Sequence, residues 1–157
     1  EQYVALMAGW GGSAALFGGD AAVATGVRNV SRMLVFKLDG KAALPALGEP
    51  PQSGRIPEPV VASEKDVRAG SDLYAAYCAV CHGTGAVGGG VLPDLRHSSE
   101  AVRQAWDAIV RHGAFESKGM AGFADSLSDE QARQILIYVR HREYQDWLGA
   151  MKDAADE

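Results

Sequence analysis

Cysteine and basic residues are both scarce in this chain. Only Cys78 and Cys81 occur among 157 residues, and they stand three positions apart. That spacing excludes a structural disulfide between distant segments, and without a second cysteine pair or a close histidine pair there is no thiolate zinc site. Lysine and arginine number 15 against 20 aspartates and glutamates, a net charge of -5. Residues 1–63 hold five of each sign, so the whole acidic excess falls on residues 64–157. A nucleic-acid surface needs clustered cations and is excluded; the excess reads as a solubility feature ahead of a docking surface for a basic partner. Long apolar runs are missing as well. Residues 2–19 carry no charge, but Gly9, Gly11, Gly12, Gly18 and Gly19 interrupt them and Asp20 ends them, so no membrane span is expected. Glu1 opens the chain with no basic leader ahead of an apolar stretch, as expected of a mature product or a piece of a longer one.

What is present centres on Cys78-Ala79-Val80-Cys81-His82. Two thiols three apart, followed at once by an imidazole, form the attachment sequence for c-type haem. Each thiol can add across a vinyl group to give a thioether, which leaves the next imidazole under the ring within reach of the iron. Cys78 and Cys81 are therefore the expected covalent anchors and His82 the proximal ligand. A thioredoxin-like redox dithiol would need a βαβ setting, for which the flanking sequence gives no support.

Along the chain, Tyr3-Val4-Ala5-Leu6-Met7-Ala8 has the length of a strand and stops at Gly9-Trp10-Gly11-Gly12. A second strand is predicted over Arg32 to Leu38, with Leu34, Phe36 and Leu38 on one face and Asp39-Gly40 as a turn. Two strands alone make a marginal sheet and need a partner. Five of the six prolines, Pro45, Pro50, Pro51, Pro57 and Pro59, then fall between Lys41 and Ser63, which predicts an extended linker without regular pairing.

Helical patterning begins at Ser63, a capping residue with Asp66 three later, and Val67, Gly70, Tyr74, Tyr77 and Cys81 share one face up to the haem motif. Gly83, Gly85, Gly88, Gly89 and Gly90 predict a loop after it. A second helix is predicted from Glu100 to His112, capped by Ser99 and ended by Gly113, with Trp106, Ile109 and Val110 inward. The last helix starts at Ser128, with Gln131 completing a capping box and Ala132, Ile135, Leu136 and Val139 at helical spacing.

Between the last two helices, Met120 stands in the glycine-flanked loop 116–123. A thioether is a soft, neutral ligand that favours ferrous iron, so Met120 is the expected distal ligand of a haem poised to carry single electrons. Its plain alternative is a gap-filling core methionine. Rival ligands are His97, His112 and His141, of which His97 is the strongest; Met7 and Met33 fall in the strands and Met151 near an acidic tail.

These residues carry two resemblances. The CxxCH motif, the Gly-Met loop and Pro93-Asp94-Leu95-Arg96 resemble class I cytochromes c. The strand sequences, Gly9-Trp10-Gly11-Gly12, the proline-rich linker and the haem motif, in that order, resemble the end of quinohaemoprotein alcohol dehydrogenases. In that family a pyrroloquinoline quinone propeller precedes a haem c domain. The resemblance implies that Pro93 offers its carbonyl to the proximal imidazole, that the first and last helices cross with Tyr138 facing Gly70, and that the protein is periplasmic. Arg96 and Trp106 are candidates to hold a haem propionate, beside their plain readings as a surface cation and a core aromatic. Trp10, Gly11 and Gly12 are candidates to line the quinone pocket, beside a simple glycine turn.

The expected fold is an all-α class I cytochrome c domain over residues 64–150. It is preceded by the closing strands of a propeller (1–40) and the linker (41–63), and followed by an acidic tail (151–157). The expected function is one-electron transfer through haem c, held by Cys78, Cys81, His82 and Met120. Electrons come from the reduced quinone of a dehydrogenase propeller, in the same polypeptide or a partner chain, and go to an external acceptor. Quinone and calcium belong to the dehydrogenase part, which this chain lacks, so alcohol oxidation is not expected of it alone. The alternatives are a free-standing electron carrier, a haem protein with an open iron position for ligand binding or catalysis, and a non-haem thiol oxidoreductase.

Overall fold

The computed structural model describes residues 2–9, 30–46, 56–90 and 92–155. Two strands, β1 (Tyr3–Ala8) and β2 (Arg32–Lys37), pair antiparallel in a two-stranded sheet, with Tyr3 opposite Lys37 and Leu6 opposite Leu34. Strand alternation places Tyr3, Ala5, Met7, Met33 and Val35 on one face and Val4, Leu6, Leu34 and Phe36 on the other. Both faces are apolar, yet no residue of either strand is buried. Asp39 adopts a left-handed φ of 59° in the turn after β2, where Gly40 N–H returns to the Lys37 carbonyl at 3.0 Å. The glycine stretch Trp10-Gly11-Gly12, together with Gly18, Gly19, Pro50 and Pro51, lies outside the described residues. Linker residues 41–46 and 56–62 have no regular structure, but the far end is fastened: Pro57 is buried and Glu58 lies 3.9 Å from Arg140.

Among the described residues, five α-helices follow: α1 (Glu64–Tyr77), α2 (Ala79–His82), α3 (Glu100–Gln104), α4 (Trp106–Val110) and α5 (Asp129–Asp153). Ser63 caps α1 by accepting the Asp66 N–H at 3.1 Å and donating to the Asp66 carboxylate at 2.6 Å, and Ser128 with Gln131 closes a full capping box on α5. Helix α5 runs through Met151 and Lys152 before ending at Asp153.

The crossing of α1 over α5 organises the unit. A Cβ on Gly70 would run into the Gln134 carbonyl and come within 2.9 Å of the Tyr138 Cβ, so only glycine permits this approach. One turn on, Tyr74 stacks at a tilt on Tyr138, ring centroids 5.3 Å apart. The core then gathers Tyr74, Ala86, Trp106, Val110, Leu127, Ala132, Ile135 and Val139 between α1, α4 and α5.

The helix predicted over Glu100 to His112 is two. It breaks at Ala105, whose ψ of 11° is not helical, and stops at Val110. The break sends the flanking side chains to different partners on α5: Arg103 pairs with buried Glu143 at 2.7 Å, and Trp106 donates its indole N–H to the Ala132 carbonyl at 2.8 Å. Helix α1 likewise does not continue through the motif. Cys78 departs to φ -117°, α2 starts afresh, and Cys81 is exposed rather than on the buried face of Gly70 and Tyr74. The glycine loop contains one 3₁₀ turn, Thr84–Ala86.

Two stability outcomes are expected. Gly70→Ala forces α1 and α5 apart and lowers the unfolding free energy by about 2–3 kcal/mol, seen as a lower urea midpoint at unchanged slope. Glu143→Ala strands the buried Arg103 charge, whose Nε already lies 3.4 Å from Glu100 without a hydrogen bond, and costs about 3 kcal/mol or more. Replacing both partners, Arg103→Met with Glu143→Leu, should recover most of that loss; a double variant as unstable as the single one would show that the charge is not the cause.

Candidate haem site

Cys78, Cys81 and His82 reach their positions on α2 and the bend before it. Helix α2 is a single turn, with the Cys81 and His82 N–H groups both donating to the Cys78 carbonyl, at 3.1 and 2.9 Å. Two elements fix the backbone that follows. Tyr74 of α1 donates its buried hydroxyl to the Gly83 carbonyl at 2.8 Å, and Arg142 of α5 donates Nε to the Gly85 carbonyl at 3.0 Å. Burial, with the nearby Cys78 thiol adding to it, pushes the Tyr74 hydroxyl far above its usual range, so it stays a proton donor.

The imidazole of His82 is held by the opposite strand of the loop. Its Nδ1 lies 3.2 Å from the Pro93 carbonyl, an oxygen that can only accept, so the proton is on Nδ1 and the lone pair on Nε2. Burial lowers the His82 pKa, and the Pro93 carbonyl opposes that only in part, so the ring is a neutral base. Gly88 makes the arrangement possible: a Cβ there would meet Asp94 N and Leu92 O, each at 2.7 Å, and would push residues 92–94 away from the imidazole.

The two thiols differ. Cys81 is exposed, whereas Cys78 is half-buried against the core, and burial followed by the neighbouring Cys81 pushes its thiol up to about 12. A reactive thiol needs a depressed pKa, so Cys78 is poorly suited to be an attacking thiolate.

Met120 sits half-buried after the 3₁₀ turn Glu116–Lys118, its N–H donating to the Phe115 carbonyl at 3.2 Å. Cys78, Ala79 and Met120 all pack against the one core cluster. The residue before the motif also touches the methionine loop: Tyr77 contacts Phe123 edge to face, centroids 6.1 Å apart. Among the described residues no group of three His, Cys, Asp or Glu side chains could hold a metal ion. The donor set here, one neutral imidazole and one thioether beside two thiols, suits a group that brings its own ring of donors.

The rivals lie elsewhere. His97 is exposed in the turn Leu95–His97, His112 is exposed beside Asp107 at 3.3 Å, and His141 borders an open groove with Tyr138 and Arg142. Met7 and Met33 are exposed on the hairpin, and Met151 is exposed at the end of α5. Arg96 is buried but committed to Asp94 at 2.7 Å and to Asp146, and the Trp106 indole N–H is spent on Ala132, so neither is disposed toward a propionate. Sequence reasoning missed Tyr74, Arg142 and Gly88 as supports. Only Tyr74 left a signal, a tyrosine on the inward helix face whose hydroxyl needs a partner when buried.

Comparison with known proteins agrees with this architecture. Residues 65–139 match the family model described as cytochrome c oxidase, cbb3-type, subunit III. Over 155 residues, 98% of this chain and 22% of the relative, the sequence is 49% identical to quinohaemoprotein alcohol dehydrogenase ADH IIB of Pseudomonas putida. It is 38% identical to the dehydrogenase subunit of alcohol dehydrogenase (quinone) from Gluconobacter oxydans, over 90% of this chain and 19% of that one. Among solved structures, quinohaemoprotein alcohol dehydrogenase ADH-IIG of Pseudomonas putida superposes with a TM-score of 0.74 at 40% identity, over 92% of this chain and 21% of that one. The chain thus spans about a fifth of the length of these relatives. With the helical unit, the motif and the likeness over nearly its whole length, the chain is similar to the fifth of the quinohaemoprotein alcohol dehydrogenase sequence that contains a cytochrome c-type unit.

Proposed function

We propose that this chain is a one-electron relay, taking electrons from the reduced quinone of an alcohol dehydrogenase and passing them to an external acceptor. Cys78 and Cys81 anchor haem c, His82 is the proximal ligand and Met120 the distal one. The observation that carries this reading is the Pro93 carbonyl on His82 Nδ1, which frees Nε2 for metal in a loop packed on the same core as Met120. Haem c bound here supplies an iron that gains and loses one electron. The contribution of the chain's own residues is narrower. His82 and Met120 keep the iron's protein ligands the same in both oxidation states, so little rearrangement accompanies each transfer. A reduced quinone carries two electrons and a haem one, so the relay turns over twice per alcohol.

Residues 1–40 are read as closing strands of the dehydrogenase propeller, 41–63 as the linker, 64–150 as the cytochrome unit and 151–157 as its acidic tail. The hairpin supports that division over a free-standing carrier, because it is apolar on both faces while none of its residues is buried. Pyrroloquinoline quinone and calcium would lie in the propeller, so the residues present here oxidise no alcohol by themselves. The exported side of the membrane, where haem c is attached, makes the periplasm the expected location. No helix among the described residues is long and apolar enough to cross a membrane.

Absorption spectra of the oxidised and dithionite-reduced protein, with and without carbon monoxide, test the assignment. A low-spin haem that stays with the chain through acid–acetone extraction is expected, with a sulfur-to-iron band that Met120→Ala abolishes. Carbon monoxide should bind readily only to the variant. A high-spin spectrum and ready carbon monoxide binding in the unaltered protein would move the reading to an open haem site.

A further inference from the structure

The loop that carries Met120 leaves the helical frame at the end of α4 and rejoins it at the start of α5, and both ends converge on one side chain. Arg111 follows α4 directly. Its Nε donates to the Leu127 carbonyl at 2.9 Å, across 16 residues, and its guanidinium pairs with Asp107 at 3.2 Å and with Asp129, the first residue of α5. The backbone of the same residue accepts the Ala124 N–H at 3.0 Å, next to the Phe123 N–H on the Val110 carbonyl at 2.9 Å. That backbone contact needs Gly122, since a Cβ there would stand 2.8 Å from the Arg111 carbonyl. Leu127, whose carbonyl Arg111 holds, is 1% exposed and belongs to the core.

We propose that Arg111 is the positioning residue of the methionine loop, closing residues 112–127 on themselves so that Met120 is held toward the haem. The proposal rests on the reading of Met120 as distal ligand. The two carboxylates are largely exposed and their pairs contribute little alone; the charge-assisted bond to the Leu127 carbonyl is the tie with strength. Without the Arg111 side chain the loop retains its backbone contacts to Ala108, Val110 and residue 111 but loses the ties to the Leu127 carbonyl and to Asp129 at the start of α5. Such a loop opens locally while α1 and α5 stay packed.

The test uses the haem-loaded full chain, with Arg111→Ala and Arg111→Lys compared against Arg133→Ala, a surface arginine paired with Glu130 on α5. The sulfur-to-iron band is followed against temperature beside helical circular dichroism, and the binding of carbon monoxide to the reduced protein is measured. In Arg111→Ala the band should disappear well below the temperature at which the helices melt, and carbon monoxide should bind about tenfold more tightly, as expected when one charge-assisted bond no longer opposes loop opening. Arg111→Lys, which keeps the charge near both carboxylates but lacks the Nε donor, should show the same separation in smaller measure and decides the matter if the alanine variant does not fold. Arg133→Ala should match the unaltered protein. If the band is present in the unaltered protein and melts together with the helices in the Arg111 variants, the Arg111 assignment is wrong. If the unaltered protein lacks the band, the Met120 reading itself falls, and the positioning role with it.

Discussion

Everything in the helical unit hangs on how closely α1 can approach α5. Gly70 against the Gln134 carbonyl and the Tyr138 Cβ sets that separation. The consequences run outward in order. Tyr74 can then rest on Tyr138, and from that position its hydroxyl reaches the Gly83 carbonyl directly after the motif. Arg142, on the same stretch of α5, reaches Gly85. A helix crossing thus fixes the backbone that bears His82, although none of the residues at the crossing is a haem ligand in the proposed site.

Electrostatics ties the remaining pieces to the same helix. Glu143 is 6% exposed and pairs with Arg103 at 2.7 Å, from α3, which ends at Gln104. Arg96 does the equivalent for the turn at Leu95–His97, joining Asp94 beside it to Asp146 on α5. Pairs of this kind add little net stability over apolar packing, but they penalise any arrangement that parts the partners. Their effect here is to fix the orientation of α3 and of the Pro93 loop relative to α5.

The features legible in the sequence were the local ones. Ser63, Ser99 and Ser128 act as caps, and Gly113 takes the left-handed conformation, because each signal lies within four residues of its effect. The strands were legible through alternation, and the Pro93 carbonyl through resemblance. What failed was continuity: 3.6-residue spacing carried α1 through the motif and merged α3 with α4. Periodicity does not register that Arg103 and Trp106 are drawn to partners 40 and 26 residues away, nor that α1 gives way to a separate short helix after Cys78. Long-range ties such as Arg111 to Leu127 leave no pattern at all.

On the proposed ligation, the two sides of the haem are restrained unequally. The proximal segment is held by Tyr74 from α1, by Arg142 from α5 and by Pro93 on the imidazole itself. The distal segment meets α1 through the ring contact of Tyr77 with Phe123, and it is closed by Arg111 and by backbone bonds from Ala114, Phe123 and Ala124 to Ala108, Val110 and Arg111. Local opening follows the weaker set of restraints, so the methionine side opens first and the histidine side last. For an electron relay this order has a physical advantage. The proposed anchors Cys78 and Cys81, with His82, would keep the haem in place through any opening, and reclosing the loop of residues 112–127 is a short-range event that needs no rearrangement of the helices.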